Sequence, residues 1–195
     1  MCLKNNKCYP VIVNALLIMK KFVWFICYIL FYSIARYLPK SSNKLFGRLS
    51  KLIRYILCKG IFKHCGKNVN IEKLASFGYG RNIEIGDNSG IGINCFVPDG
   101  SIIGRDVMMG PNCYVHSKKH RFDRIDIPMR LQGYYDNIGG LIIEDDVWIG
   151  RDVSILPGRR IARGSIIGAN CVLTKDFPEY SIVGGNPGRL IRIRT

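Results

Sequence analysis

An aliphatic side chain recurs at every sixth position along two long stretches of the chain. An α-helix repeats about every 3.6 residues and a strand about every 2, so a strict period of six indicates a solenoid of short strands and turns. Three units would close one triangular coil, with the aliphatic side chains inside and Gly, Asn and Asp at the turns. Stacked coils then bury a core that no single unit can bury alone. The positions are Ile85, Ile91, Val97, Ile103, Met109 and Val115, followed by Ile143, Ile149, Ile155, Ile161, Ile167 and Leu173.

The fifth position of most units is small or apolar, which suits a side chain packed beside the aliphatic one. Cys95, Cys113 and Cys171, three of the eight cysteines, stand at this position. We expect their thiols to be buried, because free cysteine is among the most buried residue types. The sequence has no C-x-x-C pair, the close spacing that zinc sites normally use, so reduced cytosolic thiols and no metal are expected.

The first third of the chain is apolar and basic instead of periodic. Val11–Met19 and Phe22–Ala35 are apolar runs separated by Lys20 and Lys21, and each is shorter than the ~20 residues of a spanning helix. Joined, they would place both lysines in mid-membrane, at a cost of several kcal/mol. A secretory signal is an alternative, because Ser33-Ile34-Ala35 has the small-x-small form of a cleavage site, although the run is long and charged for one.

A second helix is predicted over Lys44–Lys63, after Pro39. Its apolar residues recur at spacings of three and four, with basic residues mostly between them. A basic amphipathic helix beside an apolar one is typical of an anchor at an anionic membrane surface. Alternatively, both helices pack on the body of the protein or on a partner subunit, since so much apolar surface needs cover. The apolar positions are Leu45, Leu49, Leu52, Ile53, Ile56 and Leu57, and the basic ones are Arg48, Lys51, Arg54 and Lys59.

The charge distribution argues against a nucleic-acid-binding protein. The formal net charge is +15, but residues 1–73 hold 14 Lys and Arg against one acid, whereas residues 74–195 hold 15 against 13. The periodic part is therefore nearly neutral, and the basic character belongs to the helical segment.

Four stretches of the periodic part resemble the hexapeptide-repeat acyltransferases, in particular the branch of galactoside, maltose and colanic-acid-type O-acetyltransferases. The resemblance covers about Cys65–Ile193 and implies a mainly β fold, a left-handed parallel β-helix with an N-terminal helical segment. It also implies acetyl-CoA as co-substrate and a homotrimer with active sites between subunits. The stretches are Ile103–Asn112, His120–Asp123, Asp146–Gly150 and Ile182–Pro187.

This resemblance divides the chain into three parts. Residues 1–64 form the helical segment, residues 65–183 the β-helix with a loop at 116–142, and residues 184–195 a cofactor-binding tail. Acetyl-CoA is expected in the cytosol, so the catalytic body is expected in the cytoplasm, at the inner face of the cytoplasmic membrane where the helices bind anionic lipid.

The period of six breaks between Val115 and Ile143, so a loop leaves the coil there. Loops on a rigid scaffold are the usual place for chemistry. Acyl transfer from a thioester to a hydroxyl needs a general base near pH 7, a task that suits imidazole. The resemblance implies that His120 is this base and that a backbone N–H stabilises the oxyanion. His116 is interpreted as structural or as lining the acceptor site.

The resemblance also implies which residues bind acetyl-CoA. Cations in the tail and at the last turn would meet its phosphates, a backbone position would meet the pantetheine arm, and an aromatic side chain would line the thioester channel. The alternatives are a solvated basic end for the tail arginines and an aromatic cover over the coil for the indole. In that order the residues are Arg189 and Arg192 with Thr174 and Lys175, then Ala169, then Trp148; Arg151 stands where the galactoside enzymes have a small residue.

On the acceptor side the sequence departs from the family pattern. Gly92 stands where an Asn is expected, so Asn94, two places on, is the candidate, and Asp99 is the candidate acceptor-binding carboxylate. Arg159 stands at an inward apolar position. Because a buried unpaired charge is costly, either the coil opens there or Arg159 reaches solvent or an acid.

Two other classes of function stay open. A non-catalytic, membrane-associated trimeric scaffold would need neither a base nor a cofactor tail. A γ-type carbonic anhydrase, a zinc enzyme on the same fold, would need three histidines converging from neighbouring coils, whereas His64 precedes the repeats and His116 and His120 share one loop. The sequence favours an acetyl-CoA-dependent O-acetyltransferase acting on a hydroxyl of a sugar or surface-polysaccharide precursor.

Overall fold

The computed structural model describes residues 8–136 and 139–195. Two α-helices are followed by fifteen short strands, most of them two residues long. The helices are α1 (Cys8–Ser33) and α2 (Gly47–Ile61), and single 3-10 turns cover Ala35–Tyr37 and Met129–Leu131. The strands are β1 (His64–Cys65), β2 (Asn70–Ile71), β3 (Glu84–Ile85), β4 (Gly90–Ile91), β5 (Ile102–Ile103), β6 (Met108–Met109), β7 (Tyr114–Val115), β8 (Ile142–Ile143), β9 (Trp148–Ile149), β10 (Ser154–Ile155), β11 (Arg160–Ile161), β12 (Ile166–Ile167), β13 (Val172–Leu173), β14 (Ser181–Gly184) and β15 (Arg189–Ile193).

The strands stack in parallel into three faces of a triangular solenoid. The first face is β1-β3-β5-β8-β11, the second holds the pair β2-β4 and the run β6-β9-β12-β14, and the third holds β7-β10-β13. Single bridges through Phe96 and Ser76 extend the third face toward the N-terminal end. The predicted inward positions are buried except Met109, which is partly buried, so the period of six is confirmed as the core pattern.

The coil begins earlier than the regular period does. Cys65, Ile71 and Phe77 form a first coil, and Ile71 and Phe77 are completely buried. The next inward strand residue, Ile85, follows Phe77 after eight positions instead of six, so the register shifts and this coil is hidden from a search for strict six-residue spacing.

The small position works as predicted for the three cysteines, which are all buried and unpaired. The Sγ of Cys95 lies 3.1 Å from the carbonyl oxygen of Gly110, and the Sγ of Cys113 lies 3.1 Å from that of Gly150. The Cys95 and Cys113 thiols therefore each contact a backbone carbonyl of the next coil while they fill the core.

The two helices close the N-terminal end of the solenoid. Phe31 and Ala35 are completely buried, and the Phe31 ring lies 4.7 Å from the ring of Phe77 in the first coil. The Tyr32 hydroxyl accepts the backbone N–H of Phe77 at 3.0 Å. The C-terminal part of α1 is thus part of the core, which agrees with the alternative in which the helices pack on the body.

Several apolar side chains of α1 from Ile18 onward are exposed. By length and composition, Ile18–Tyr37 would be able to cross a membrane, but a buried core helix or a signal sequence has the same character. This stretch contains Lys20 and Lys21. The exposed large apolar side chains of α1 include Phe22, Phe25 and Ile29.

Most of the apolar stripe of α2 is exposed and does not pack on the body, which was one of the two alternatives for this helix. Its buried residues are Gly47, Ser50, Arg54, Cys58 and Ile61, whereas four positions of the predicted apolar stripe are exposed. Small side chains allow the closest approach: a Cβ on Gly47 would lie 2.2 Å from the carbonyl oxygen of Ser41. The exposed positions are Leu45, Leu49, Leu52 and Ile56.

Arg54 is therefore not a lipid-facing cation. Its guanidinium is completely buried and donates to the carbonyl oxygens of Ile71 at 2.5 Å, Pro39 at 3.1 Å and Leu38 at 3.3 Å. Its second terminal nitrogen lies 3.6 Å from a carboxylate oxygen of Glu72. The charge fixes α2 and the preceding turn to the first coil.

Candidate active site

The loop that interrupts the solenoid is an arm with its own backbone pairing. It leaves β7 at His116 and returns at Leu141, whose carbonyl oxygen accepts the Ile102 N–H at 2.9 Å. His120 forms an antiparallel bridge with Tyr134, flanked by N–H to carbonyl bonds from Arg121 to Gly133 and from Tyr135 to Lys119, both at 3.0 Å. This pairing holds the His120 backbone in place.

Side chains brace the far part of the arm. The amide of Gln132 donates to the carbonyl oxygens of Arg124 at 2.8 Å and Ile127 at 3.0 Å. The Tyr135 hydroxyl donates to Asp123 and lowers the pKa of that carboxyl. Apolar side chains nevertheless point away from the body, and Phe122, Ile125, Met129 and Leu131 are exposed.

The two histidines of the arm differ in their surroundings. The exposed imidazole of His120 lies 4.1 Å from the ring of Tyr134, centroid to centroid, and makes no side-chain hydrogen bond among residues 8–136 and 139–195. His116 is half-buried, packs edge-on against Tyr114, and its Nε2 lies 3.0 Å from the hydroxyl of Ser154. The His120 imidazole is accessible to a substrate, whereas the His116 imidazole is held by its contacts on the third face.

The candidate residues fall on different edges of the triangular solenoid. The second edge joins the second face to the third and carries Asn94, Arg151 and Ala169; the N–H of Asn170, next to Ala169, donates to the Arg151 carbonyl at 3.0 Å. The third edge joins the third face back to the first and carries the arm. A single chain therefore does not bring His120 together with Ala169.

Trp148 and the tail lie on the second face. Trp148 is half-exposed and points outward between Met108 and Ile166, its parallel partners in β6 and β12. Strand β15 runs antiparallel to β14, and Arg189 and Arg192 are exposed on it.

Thr174, Lys175 and Asp99 lie on the third edge with the arm. The Nζ of Lys175 stands 5.4 Å from the Phe177 ring centroid, and Thr174 is half-buried. Asp99 is half-buried and accepts the backbone N–H of Asn82 at 2.9 Å and its side-chain amide at 2.8 Å. Asp99 and His120 therefore share one edge.

Asn94, the candidate acceptor ligand, is an exposed residue in a turn of the second edge. It has a left-handed φ of 54°, and its amide donates to Asn112 at 3.1 Å, which in turn donates to Asp152 at 2.9 Å. This ladder links three coils along the second edge. Gly92 has no room for the expected Asn, because a Cβ there would lie 2.2 Å from the carbonyl oxygen of Gly110.

Two arginines of the C-terminal coils have local partners. Arg159 reaches an acid: its guanidinium lies 3.4 Å from Asp176 and 3.4 Å from the carbonyl oxygen of Thr174. The exposed side chain of Arg151 pairs with Asp152 at 2.8 Å. The Arg151 guanidinium therefore lies beside its own turn and does not extend toward the second face.

Tyr134 is the site residue that the sequence reasoning missed. It contacts His120 and also lies 5.1 Å below the Nζ of Lys118, measured to the ring centroid. The available signal was the aromatic pair Tyr134-Tyr135 inside a loop that has lost the aliphatic period.

Comparisons with known proteins agree with this architecture. Residues 140–175 match the family model described as bacterial transferase hexapeptide (six repeats), and residues 82–117 match the hexapeptide repeat of succinyl-transferase. The acetyltransferase-like protein YJL218W of Saccharomyces cerevisiae is 39% identical over 156 residues, which cover 79% of this chain and 73% of that protein. The galactoside O-acetyltransferase of Lactococcus lactis is 33% identical over 135 residues, or 67% of this chain and 63% of that protein.

A solved structure is similar over most of the solenoid. The hexapeptide-repeat acetyltransferase VCA0836 of Vibrio cholerae, in complex with acetyl-CoA, superposes with a TM-score of 0.63 at 32% identity. The match covers 72% of this chain and 75% of that one.

Proposed function

The chain belongs to the hexapeptide-repeat acetyltransferases, and from this premise we propose that it acetylates a hydroxyl of a sugar or surface-polysaccharide precursor, with His120 as the general base. It is an acetyl-CoA-dependent acetyltransferase of the galactoside and maltose O-acetyltransferase type. The observation that carries the proposal is the exposed imidazole of His120, held by a paired arm at an edge of a rigid solenoid.

The proposed reaction is an acetyl transfer in which His120 first accepts a proton and then returns it. His120 takes the proton of the acceptor hydroxyl as its oxygen attacks the thioester carbonyl, which gives a tetrahedral oxyanion. A backbone N–H stabilises that charge. The C–S bond then breaks, the imidazolium returns the proton to the thiolate, and the products are free CoA and the acetyl ester. Tyr134 holds the imidazole ring from one side.

The direct test is thiol release from acetyl-CoA by the full chain against a panel of sugars. We expect release to depend on a sugar hydroxyl and to exceed the rate of hydrolysis without acceptor. Binding of acetyl-CoA without any acceptor-dependent thiol would instead support the non-catalytic scaffold. The carbonic anhydrase alternative is not favoured, because His64 lies in β1 of the first coil while His116 and His120 lie on the arm after the third.

We also propose a homotrimer in which each site is shared by two subunits. Two features support it: Trp148 and Ala169 lie away from the edge that carries His120, and the arm displays four exposed apolar side chains. An arm that reaches the second face of a neighbour would cover those side chains and bring His120 to Trp148. Closed cyclic symmetry is the common arrangement of such assemblies.

The tail arginines are proposed to bind the phosphates of the cofactor. If either meets the 3′-phosphate, Arg189→Ala and Arg192→Ala should weaken acetyl-CoA binding by about tenfold or more, on the ~1.5–3 kcal/mol scale of charge-assisted hydrogen bonds. Calorimetric titration should show a smaller loss for dephospho-CoA. Arg163→Ala, an exposed arginine outside the tail, is the matched control. An equal loss for both ligands would remove the 3′-phosphate role.

The helical segment is proposed to bind the cytoplasmic face of the membrane without crossing it. Exposed apolar side chains of α1 and α2, with Lys20, Lys21 and Arg48 near them, form the surface that supports this location. Arg54 takes no part. Deletion of residues 1–40 is an unsuitable test, because it would remove Phe31 and Ala35 from the core.

Surface substitutions test the membrane proposal cleanly. We expect the full chain to float with vesicles of anionic lipid, and the variant Ile18→Ser/Phe22→Ser/Leu49→Ser/Leu52→Ser, whose positions are all exposed, to lose most of this binding. The apolar part should persist in 1 M salt, where the Debye length falls to about 3 Å and the electrostatic part fades. Thiol release on a soluble sugar should be unchanged. A full chain that stays with the soluble fraction would contradict the proposal.

A further inference from the structure

A cavity of about 670 Å³ lies between α1, the end of α2 and the first coil. Its lining is apolar and basic, and among residues 8–136 and 139–195 no acidic side chain contributes to it. The apolar residues are Met19, Val23, Trp24, Ile61 and Phe62, and the basic ones are Lys20, Lys21, Lys59, Lys63 and Arg81.

Most of these cations lack a compensating carboxylate. Lys63 pairs with Glu84 at 2.6 Å, but Lys20, Lys21, Lys59 and Arg81 form no ion pair within the described ranges. The Arg81 guanidinium lies over the Trp24 indole, 3.7 Å from its centroid. An apolar cavity rimmed by uncompensated cations is complementary to an anion that carries an apolar chain.

A second cavity of about 540 Å³ lies beside the first, and Trp24 and Arg81 line both. Three aromatic rings line its wall, with centroids 4.9 Å apart for Trp24 and Tyr28 and 6.2 Å apart for Tyr28 and Tyr79. Asn82 and Asp99 add polar groups. Flat aromatic faces beside a carboxylate and an amide suit a sugar, which presents both apolar ring faces and hydroxyls.

This second cavity leads along the third edge toward the arm. Tyr79 lies in the link after the first coil, Asp99 in the link after the second, and the arm follows the third. A Cβ on Gly140 would lie 2.5 Å from the carbonyl oxygen of Gly100, so the returning end of the arm rests directly on the Asp99 link. Two strand spacings, about 10 Å, separate the Tyr79 link from the arm.

We propose that this paired groove binds a saccharide joined through a phosphate or diphosphate to an apolar, prenyl-type chain. The phosphates lie among Lys20, Lys59 and Arg81, and the sugars pass over Tyr28 and Tyr79 toward the arm. The inference rests on the proposed function, since it names the substrate class for the same acceptor side. With the membrane location proposed above, the exposed faces of α1 and α2 would bring the groove beside the lipid from which such a substrate would come.

The experiment is calorimetric titration of the full chain in detergent with three probes. Farnesyl diphosphate carries both features, farnesol lacks the anion, and inorganic pyrophosphate lacks the chain. We expect farnesyl diphosphate to bind at least tenfold more tightly than either of the others. Lys59→Gln and Arg81→Gln should each weaken it several-fold, and Arg48→Gln, an exposed change outside the groove, should not. Lys59 is exposed, so we expect Lys59→Gln to fold. This variant therefore tests the proposal even when Arg81→Gln does not fold.

The contrary outcomes are distinct. Equal binding of farnesol, equal binding of pyrophosphate, or insensitivity to Lys59→Gln and Arg81→Gln each overturns the inference. Displacement of farnesyl diphosphate by an equal concentration of anionic phospholipid also overturns it. Failure of the probe to bind while thiol release on a soluble sugar persists overturns this inference alone. Probe binding without any acetyl transfer overturns the proposed function instead.

Discussion

Replacing His120 by alanine should lower the rate of acetyl transfer by about two to four orders of magnitude while acetyl-CoA affinity changes little. The imidazole is exposed on the arm and free to meet an acceptor hydroxyl, and its removal leaves water as the proton acceptor. The Tyr134 bridge is made by backbone atoms, so the arm keeps its conformation in the variant. Single-turnover thiol release and calorimetric titration of acetyl-CoA give the two quantities separately.

His116→Ala is the matched control on the same arm. It removes an imidazole that is bound to Ser154 and packed on Tyr114, so we expect a modest loss of stability and a rate within about tenfold of the wild type. Near-normal turnover in His120→Ala, or an equal loss in both variants, would contradict the assignment of the base.

The His120→Ala variant also tests whether each active site is shared between two subunits. Co-expression of His120→Ala with Trp148→Ala should restore part of the activity, because a mixed trimer has an interface in which an intact arm meets an intact second face. Mixing the two proteins after separate purification, without subunit exchange, should restore none. Full activity in a protein that light scattering shows to be monomeric would defeat the shared site.

The sequence predicted the solenoid because its physics is local and repetitive. Most units from Ile85 to Val115 and from Ile143 to Leu173 bury an aliphatic side chain beside a small one. The spacing of these residues is therefore enough to identify the core. The first coil was missed because Phe77 and the next inward strand residue, Ile85, are separated by eight positions instead of six. Periodicity identifies repeats and not the elements that end them.

The orientation of α2 could not be predicted from its pattern. An apolar stripe normally faces the core, yet here the small residues Gly47, Ser50 and Cys58 pack inward and leave Leu49 and Leu52 exposed. The partner surface decides this, since the first coil and the preceding turn offer backbone carbonyls that only a long donor such as Arg54 satisfies. No sequence rule places those acceptors.

The site was predictable in its residue types but not in its geometry. A broken period located the arm, and the resemblance supplied His120, but only the stacking of faces shows that the candidates are divided among two edges and the second face. Asn94 illustrates the limit, because an Asn at a left-handed turn and an Asn that binds a ligand look the same in a sequence.

Arg54→Met should cost about 3–5 kcal/mol of unfolding free energy, the range expected when one partner of a buried ion pair is removed. The change leaves the half-buried carboxylate of Glu72 without its cation and leaves the carbonyl oxygens of Ile71, Leu38 and Pro39 without their donor. Urea unfolding at one fixed protein concentration measures the loss, since subunit association would make stability concentration-dependent. Arg48→Met, an exposed change on the same helix, should stay within about 0.5 kcal/mol of the wild type.

Acid should reproduce part of this effect. Burial alone would raise the pKa of Glu72. Hydrogen bonds from Ser41, Asn70 and the Lys73 N–H together lower this pKa by more than burial raises it, so the pKa lies below its ordinary value. A lowered pKa contributes stability that is present above the ordinary value and is lost as pH falls through the lowered one. Glu72→Gln should therefore flatten the acid limb of the stability curve, and Arg54→Met/Glu72→Gln should be more stable than Arg54→Met alone. A double variant no better than the single one would show that the unpaired carbonyl oxygens, and not the orphaned carboxylate, account for the loss.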